Sequence, residues 1–157
     1  MKVTSSSGIQ FAEADDIDAI FEIEQKCFPG QTSYSKRQLR YLVLNANSIS
    51  LVARDKETIK AFIIVTFREG NVSCNIETID VDPAFKNKGL GLKLLMAAEK
   101  EMKERGMRSC QLEVSEGNKS ALNLYRKAGY IFKERLEGYY RFEHNGTRNA
   151  LRMMKIL

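Results

Sequence analysis

Between Ser48 and Val81 the chain runs through three β-rich stretches, "SISLVAR", "TIKAFIIVTFRE" and "VSCNIETIDV", separated only by "DKE" and by a turn at Gly70-Asn71. β-branched and aromatic residues dominate each stretch, and gaps this short join antiparallel neighbours. The segment predicts a meander. Beyond it the period changes. From about Gly89 to Arg105 apolar residues recur at helical spacing and Gly106 stops the run as a C′ glycine. Then "SCQLEVS" is a strand and "NKSALNLYRKA" a helix bracketed by Asn118 as N-cap and Gly129 as C′. "YIFKERL" is a further strand, and a loop containing Asn145-Gly146 leads to the last, "NALRMMKIL".

Ahead of the meander, "GIQFAE" makes a short strand. "EADDIDAIFEIEQKCF" makes a helix capped by Asp15 or Asp16, with Ile17, Ile20, Phe21 and Phe28 on one face and Pro29-Gly30 at its end. "SYSKRQLRYLVLNA" makes a second short helix, with Ser33 or Ser35 as its N-cap. The sum is a mixed α/β fold, antiparallel at first and β-α-β-α-β afterwards. At 157 residues with no internal repeat, the expectation is one globular domain over residues 1–157, with residues 1–7 as a disordered tail.

Charge and cysteine usage remove several classes. The formal charge of +5 is spread along the chain, which suits an anionic ligand and is too diffuse for nucleic acid. Cys27, Cys74 and Cys110 are widely spaced with no CxxC, and His144 is the only histidine, so neither a disulfide framework nor a metal site is expected. Cys74 and Cys110 fall within strands and read as small core residues. There is no apolar leader and no run of membrane-spanning length, so the expectation is a soluble protein of a reducing cytoplasm, without a membrane partner. Monomer and homodimer both stay open.

The stretch "VDPAFKNKGLGLKLL" joins a strand to a helix through a basic Gly-x-Gly turn. A helix start offers unpaired N–H groups and the positive end of the macrodipole, so such a turn is a natural seat for phosphate. Gly89 and Gly91 let backbone come close, and Lys86, Lys88 and Lys93 add charge. There is no GxxxxGK[ST], and Leu94 stands at the third glycine position of GxGxxG, so nucleoside triphosphates and dinucleotides are disfavoured.

This stretch resembles the acetyl-CoA signature of the GNAT acyltransferase superfamily, with Lys86 where that pattern prefers Gln or Arg. "LEVSEGNKSALNLYRKAGY" is similar to the second block of the same family. "IEQKCFP", "GYY" and "NGTRNALRMMKIL" resemble RimI-type ribosomal-protein N-acetyltransferases and the catalytic subunits of protein N-terminal acetyltransferases. The likeness spans nearly the whole chain. It implies a central, mostly antiparallel sheet of about seven strands, splayed between the fourth and fifth, with about four helices and acyl-CoA in the gap. It also implies that the backbone of Ile79, Asp80 and Val81 aligns the pantetheine arm, and that the N–H groups of Asn87, Lys88, Gly89, Leu90, Gly91 and Leu92 hold the pyrophosphate. Asn118 would contact the cofactor from the next helix.

Acetyl transfer to an amine needs a proton acceptor for the amine and a donor for the departing thiolate, with no covalent intermediate. Ala121, Leu124, Tyr125 and Ala128 form one helical stripe, which on periodicity makes Tyr125 a core residue. The resemblance makes it the acid, set against the thioester sulfur. The same resemblance offers Glu113 as the first choice of base and Glu77 as the second, relaying through water. Either is otherwise a solvated strand glutamate. Glu24 interrupts the apolar stripe of the first helix, and its two readings are a solvated helix end or an anion at the acceptor mouth. By resemblance to N-terminal acetyltransferases, Phe28, Pro29 and Tyr34 of the following loop and the pair Tyr139 and Tyr140 form the other walls.

Deprotonation at neutral pH costs roughly 1.4 kcal/mol for an α-amine and about 4.6 kcal/mol for a lysine side chain. That favours a protein or peptide N-terminus, including that of a ribosomal protein, as acceptor. A small-amine or polyamine acetyltransferase and a non-catalytic acyl-CoA-binding module are the alternatives.

Overall fold

The computed structural model describes residues 8–157; the expected tail, residues 1–7, lies outside the described residues. Seven strands form one sheet in the order β1-β2-β3-β4-β5-β7-β6. They are β1 (Ile9–Phe11), β2 (Ser48–Asp55), β3 (Thr58–Phe67), β4 (Ser73–Val81), β5 (Ser109–Ser115), β6 (Ile131–Leu136) and β7 (Ala150–Ile156), with helices α1 (Ile17–Cys27), α2 (Lys36–Leu44), α3 (Leu90–Glu104) and α4 (Lys119–Lys127) between them. The meander is present as β2, β3 and β4, antiparallel throughout. Successive side chains of a strand face opposite ways. Leu51 and Ile63 accordingly join Leu94, Leu95, Ala98 and Met102 of α3 in one apolar layer, while Val52, Phe62 and Ile64 join Ile20, Ile23 and Leu39 of α1 and α2 in the other. Two helical layers thus sandwich the sheet, and that double burial explains why β2 and β3 read as nearly unbroken apolar runs.

The helix ends are set by local chemistry. Ser35 caps α2: its hydroxyl accepts the Gln38 N–H at 3.1 Å and the Gln38 side chain returns to the Ser35 N–H at 2.8 Å, a capping box that leaves Ser33 outside. The expected aspartate cap of α1 is replaced by a short 3-10 turn over Ala14–Asp16. The Asp16 carboxylate is diverted to the Glu13 N–H at 2.9 Å and to Arg54 at 2.5 Å, and so is not free to cap. Phe28 was expected on the apolar face of α1, but the helix stops at Cys27 and Phe28 leaves it with φ −133°.

Two irregularities shape the centre of the sheet. β4 and β5 are parallel and stay in register only from Ser73↔Ser109 to Ile76↔Leu112, after which they part. At the same point the β3–β4 ladder skips from Val65↔Ile76 to Ile64↔Thr78, so Glu77 has no partner and forms a bulge. Ile76 before it and Ile79 and Val81 after it all face the α3 layer. Thr78 and Asp80, both buried, occupy the opposite face of β4.

Candidate active site

Glu77 and Glu113 are the residues immediately after the last paired positions of β4 and β5, so they stand on the two lips of the split. Their surroundings differ. Glu77 accepts the Tyr34 hydroxyl at 3.0 Å, the Thr66 hydroxyl at 2.9 Å and the Asn75 amide at 3.4 Å, all neutral donors. Glu113 faces Arg152 across the β5–β7 ladder and accepts its Nε at 2.9 Å, and the same guanidinium also binds Glu134 on β6. A cross-strand ion pair of this kind holds a carboxylate in place and offsets much of its charge.

Below the lips lies a cavity of about 330 Å³ walled by Glu24, Phe28, Tyr34, Glu77, Glu113, Tyr125, Tyr139 and Tyr140, among others. Its charged walls are the three glutamates, and neither lysine nor arginine lines it. The cavity therefore attracts a cationic group and repels an anionic one. Tyr125 reaches it from α4, nearly fully buried and edge-on to Tyr130 at 5.8 Å. Burial above all, then Asp80 and Tyr140, push its phenol above the ordinary tyrosine value, so it stays protonated. Burial likewise raises Tyr34, with Glu77 adding to it, and Tyr140, with Tyr139 adding to it.

A second cavity of about 430 Å³ runs from the split to the turn after β4. Its walls include Ile79, Asp80, Val81, Asn87, Gly89, Leu90, Gly91, Leu92 and Asn118, with Lys86 at the side. Asp82 shapes the turn: its carboxylate accepts the Ala84 N–H at 3.0 Å and Lys26 Nζ at 3.2 Å. Asn87 and Gly89 both take left-handed φ, 63° and 78°, which bends the backbone into the first turn of α3. The two glycines serve different ends. A Cβ on Gly89 would meet nothing within 4 Å, so that position is chosen for its φ, whereas a Cβ on Gly91 would sit 3.1 Å from Leu124 on α4. Gly91 is what lets the two helices close around the cavity. First-turn N–H groups with no intrahelical acceptor, a left-handed turn and nearby lysine fit an anionic phosphate group. Asn118 caps α4, accepting the Ala121 N–H at 3.2 Å, while lining both cavities.

Phe28, Ile79, Asn118 and Ala121 belong to both walls, so the two cavities adjoin at the split. Two candidates lie outside the walls. Lys88 projects to solvent between the left-handed residues. Pro29 is exposed because it opens the 3-10 turn Gly30–Thr32, where its carbonyl accepts the Thr32 hydroxyl at 3.1 Å. Glu24 is not solvated at a helix end: it is 1 % exposed and accepts the Tyr34 N–H at 2.9 Å.

Several wall residues escaped the sequence reading. His144 stacks on Tyr140 at 3.9 Å and lies 6.4 Å from Phe28. It is held because the Ser115 hydroxyl donates to its carbonyl at 2.6 Å and because Asn145-Gly146 turn a tight hairpin closed by the His144↔Thr147 bridge. The Asn-Gly pair was the signal for that hairpin. Cys27 lines the second cavity, donates to the Val81 carbonyl at 3.3 Å and is pushed up to about 12 by burial, so it is a neutral thiol there. Among the described residues no group of three or more His, Cys, Asp or Glu side chains is arranged to hold a metal ion, and no helix is long and apolar enough to cross a membrane.

Residues 17–130 match the model of the Acetyltransferase (GNAT) family. The chain is 30% identical over 136 residues to the [ribosomal protein bS18]-alanine N-acetyltransferase of Salmonella typhimurium, covering 84% of this chain and 86% of that protein. It is 28% identical over 145 residues to an uncharacterized N-acetyltransferase of Methanocaldococcus jannaschii, covering 81% of this chain and 62% of that one. Among solved structures, the ribosomal-protein-S18-alanine N-acetyltransferase of Escherichia coli superposes with a TM-score of 0.83 at 24% identity, over 94% of this chain and 92% of that one. A Bacillus subtilis acetyltransferase in complex with CoA superposes with a TM-score of 0.77 at 18% identity, over 95% and 97% of the two chains.

Proposed function

The chain belongs to the GNAT family of acetyltransferases, whose donor is acetyl-CoA, and from that premise we propose that its acceptor is the α-amino group of a protein or peptide. The observation that carries the proposal is that the two cavities adjoin at the β4–β5 split and share the walls Phe28, Ile79, Asn118 and Ala121. One end suits a phosphorylated donor and the other, ringed by Glu24, Glu77 and Glu113, suits an ammonium group, so donor and acceptor can meet without a covalent enzyme intermediate. Phe28 and Tyr34 from one side and Tyr139 and Tyr140 from the other give this cavity aromatic walls against which the first residues of a peptide can pack. The Salmonella relative, named for an alanine of ribosomal protein bS18, supports the same acceptor class.

In this mechanism the amine sheds its proton to Glu77 and attacks the thioester carbonyl. The C–N bond forms, the C–S bond breaks, and the Tyr125 phenol gives its proton to the departing sulfur. Glu77 is preferred over Glu113 because its donors are all neutral, whereas the Glu113 carboxylate is committed to a guanidinium. That reverses the ranking reached from resemblance. Glu113 then serves as a fixed anion that draws the ammonium group in.

The test is CoA release from acetyl-CoA with short peptides of varied first residue, against spermidine, with the acetylated atom located by mass spectrometry. The expected result is turnover of peptides at the α-nitrogen. Turnover of spermidine alone would overturn the acceptor assignment, and saturable acetyl-CoA binding without transfer to any amine would overturn catalysis.

A further inference from the structure

Two buried acids share the seam between α1 and β4 with no cation bonded to either. Glu24 and Asp80 are 1 % and 2 % exposed. Each has one satisfied oxygen: Glu24 Oε2 accepts the Tyr34 N–H at 2.9 Å, and Asp80 Oδ1 accepts the Thr78 hydroxyl at 2.7 Å. The other two oxygens, Glu24 Oε1 and Asp80 Oδ2, are buried with no donor among the described residues. The two carboxyls are neighbours: burial first, and then Glu24 beside it, push the Asp80 carboxyl upward. Two ionised carboxylates set side by side at this depth would repel with little water to screen them, and neither would have a proton to offer the other's free oxygen. A single proton between them satisfies both orphaned oxygens at once, as in other carboxyl pairs.

The surrounding groups do not supply an alternative. From α1 come Cys27, a neutral thiol bonded to the Val81 carbonyl, and Lys26, bonded to Asp82 at 3.2 Å. From β4 come Glu77 and Asp82, from the α1–α2 loop Tyr34, and from α4 Tyr125. Lys86 is the cation that acts on Asp80, and its pull is weaker than the effect of burial or of Glu24, which together drive the Asp80 carboxyl well above the usual carboxylate range.

We propose that Glu24 and Asp80 hold one proton between them as a latch tying α1 to β4, and that this latch positions Glu77 through Tyr34. The route is short. Glu24 holds the Tyr34 N–H at 2.9 Å, and the Tyr34 hydroxyl donates to Glu77 at 3.0 Å. Both acids are positioning residues, since neither donates to nor accepts from the reacting atoms. When the shared proton leaves, like charges push α1 from β4 and Tyr34 loses its anchor. The second half of the inference rests on Glu77 being the proton acceptor of the proposed reaction, whereas the shared proton itself does not.

The stability consequence has a definite sign. A carboxyl whose folded pKa is raised stabilises the fold fully below the unfolded value, about 3.9, and that contribution is lost as pH rises through the folded value. In Asp80→Asn the amide can donate to Glu24 and still accept from Thr78, so it needs no shared proton. Wild type, Asp80→Asn and Glu24→Gln are compared by pH-difference infrared spectroscopy and by melting between pH 4 and 9. Wild type is expected to show the carbonyl stretch of a protonated carboxyl at pH 7 that both variants lack. The Tm of Asp80→Asn, relative to wild type, should climb with pH by at least about 3 °C across the range. Absence of that band in wild type at pH 7, which needs no variant to fold, overturns the shared proton, as do melting curves that run parallel. For the coupling, the acceptor KM of wild type is expected to rise over the pH range in which the band disappears, with no such rise in Asp80→Asn. A wild-type KM that stays flat through that range overturns the link to Glu77 while the pair itself stands.

Discussion

Replacing Tyr125 by phenylalanine separates a chemical role from a structural one. The ring is 6 % exposed, packs edge-on against Tyr130 at 5.8 Å and belongs to the larger core. Phenylalanine keeps all of that packing. The hydroxyl feels burial and neighbouring charge but no hydrogen bond among the described residues, so the fold loses no internal partner and the stability change should stay under about 1 kcal/mol. For a protein of this size that is about 2–4 °C in Tm. Loss of a proton donor to the leaving thiolate costs about 10²–10⁴ in rate, or about 2.7–5.4 kcal/mol in barrier. The assay is CoA thiol release at saturating acetyl-CoA and peptide, beside calorimetric binding of acetyl-CoA and a thermal melt. The expected pattern is a collapse of kcat with Tm and acetyl-CoA affinity little changed. Because the phenol is raised above its ordinary value, wild-type kcat should show no alkaline fall attributable to Tyr125 below about pH 10. A well-folded Tyr125→Phe protein with kcat within about threefold of wild type would refute the acid role, since a positioned acid contributes about 10² or more.

Glu77→Gln is expected to lower kcat/KM by about 10²–10⁴, and Glu113→Gln to act mainly by raising the acceptor KM; steady-state kinetics giving the opposite order would return Glu113 to the role of base. Asp82→Ala removes the carboxylate that accepts the Ala84 N–H and Lys26, at about 1 kcal/mol, which calorimetry should register as roughly fivefold weaker acetyl-CoA binding. The Ala84 N–H and then Lys26 depress the Asp82 pKa, so its stabilisation is present above the unfolded value, about 3.9, and lost as pH falls through the folded one. Urea melts of wild type and variant should therefore converge in strong acid. Gly117→Ala would put a Cβ 2.4 Å from the Asn145 carbonyl oxygen, so the loop carrying His144 must move, at about 1–3 kcal/mol; a urea midpoint unchanged from wild type would count against that contact.

What could be read from the chain was what depends on neighbours in sequence. The β-rich runs and short turns of β2 to β4, a serine cap on α2 and the Asn118 cap are local, and each appears where local chemistry puts it. The Gly-x-Gly turn was legible too, although only the fold divides its labour between a φ at Gly89 and a helix contact at Gly91. What stayed hidden depends on register between distant segments. Arg152 became the partner of Glu113 because β7 inserts between β5 and β6, a strand order that no periodicity announces. Asp16 looked like a cap until Arg54, 38 residues away, claimed it. Glu24 appeared as an unexplained break in an apolar stripe, and the explanation, Asp80, lies on a strand whose facing reverses at a bulge.

That bulge makes β4 a strand read in two frames. Up to Ile76 one parity of residue number points at α3, and from Thr78 onward the other does. A single-residue deletion between them would restore one frame to the whole strand. It would leave Ile79 toward α3 and Asp80 toward Glu24, whereas a ladder that paired Glu77 and lost the bulge would drive Asp80 into the aliphatic layer and turn Ile79 toward Glu24, exchanging an acid for a hydrocarbon on both faces at once. The extra residue is thus what lets a carboxylate stand outside the ladder at the mouth of the split while the residues on either side of it keep their faces.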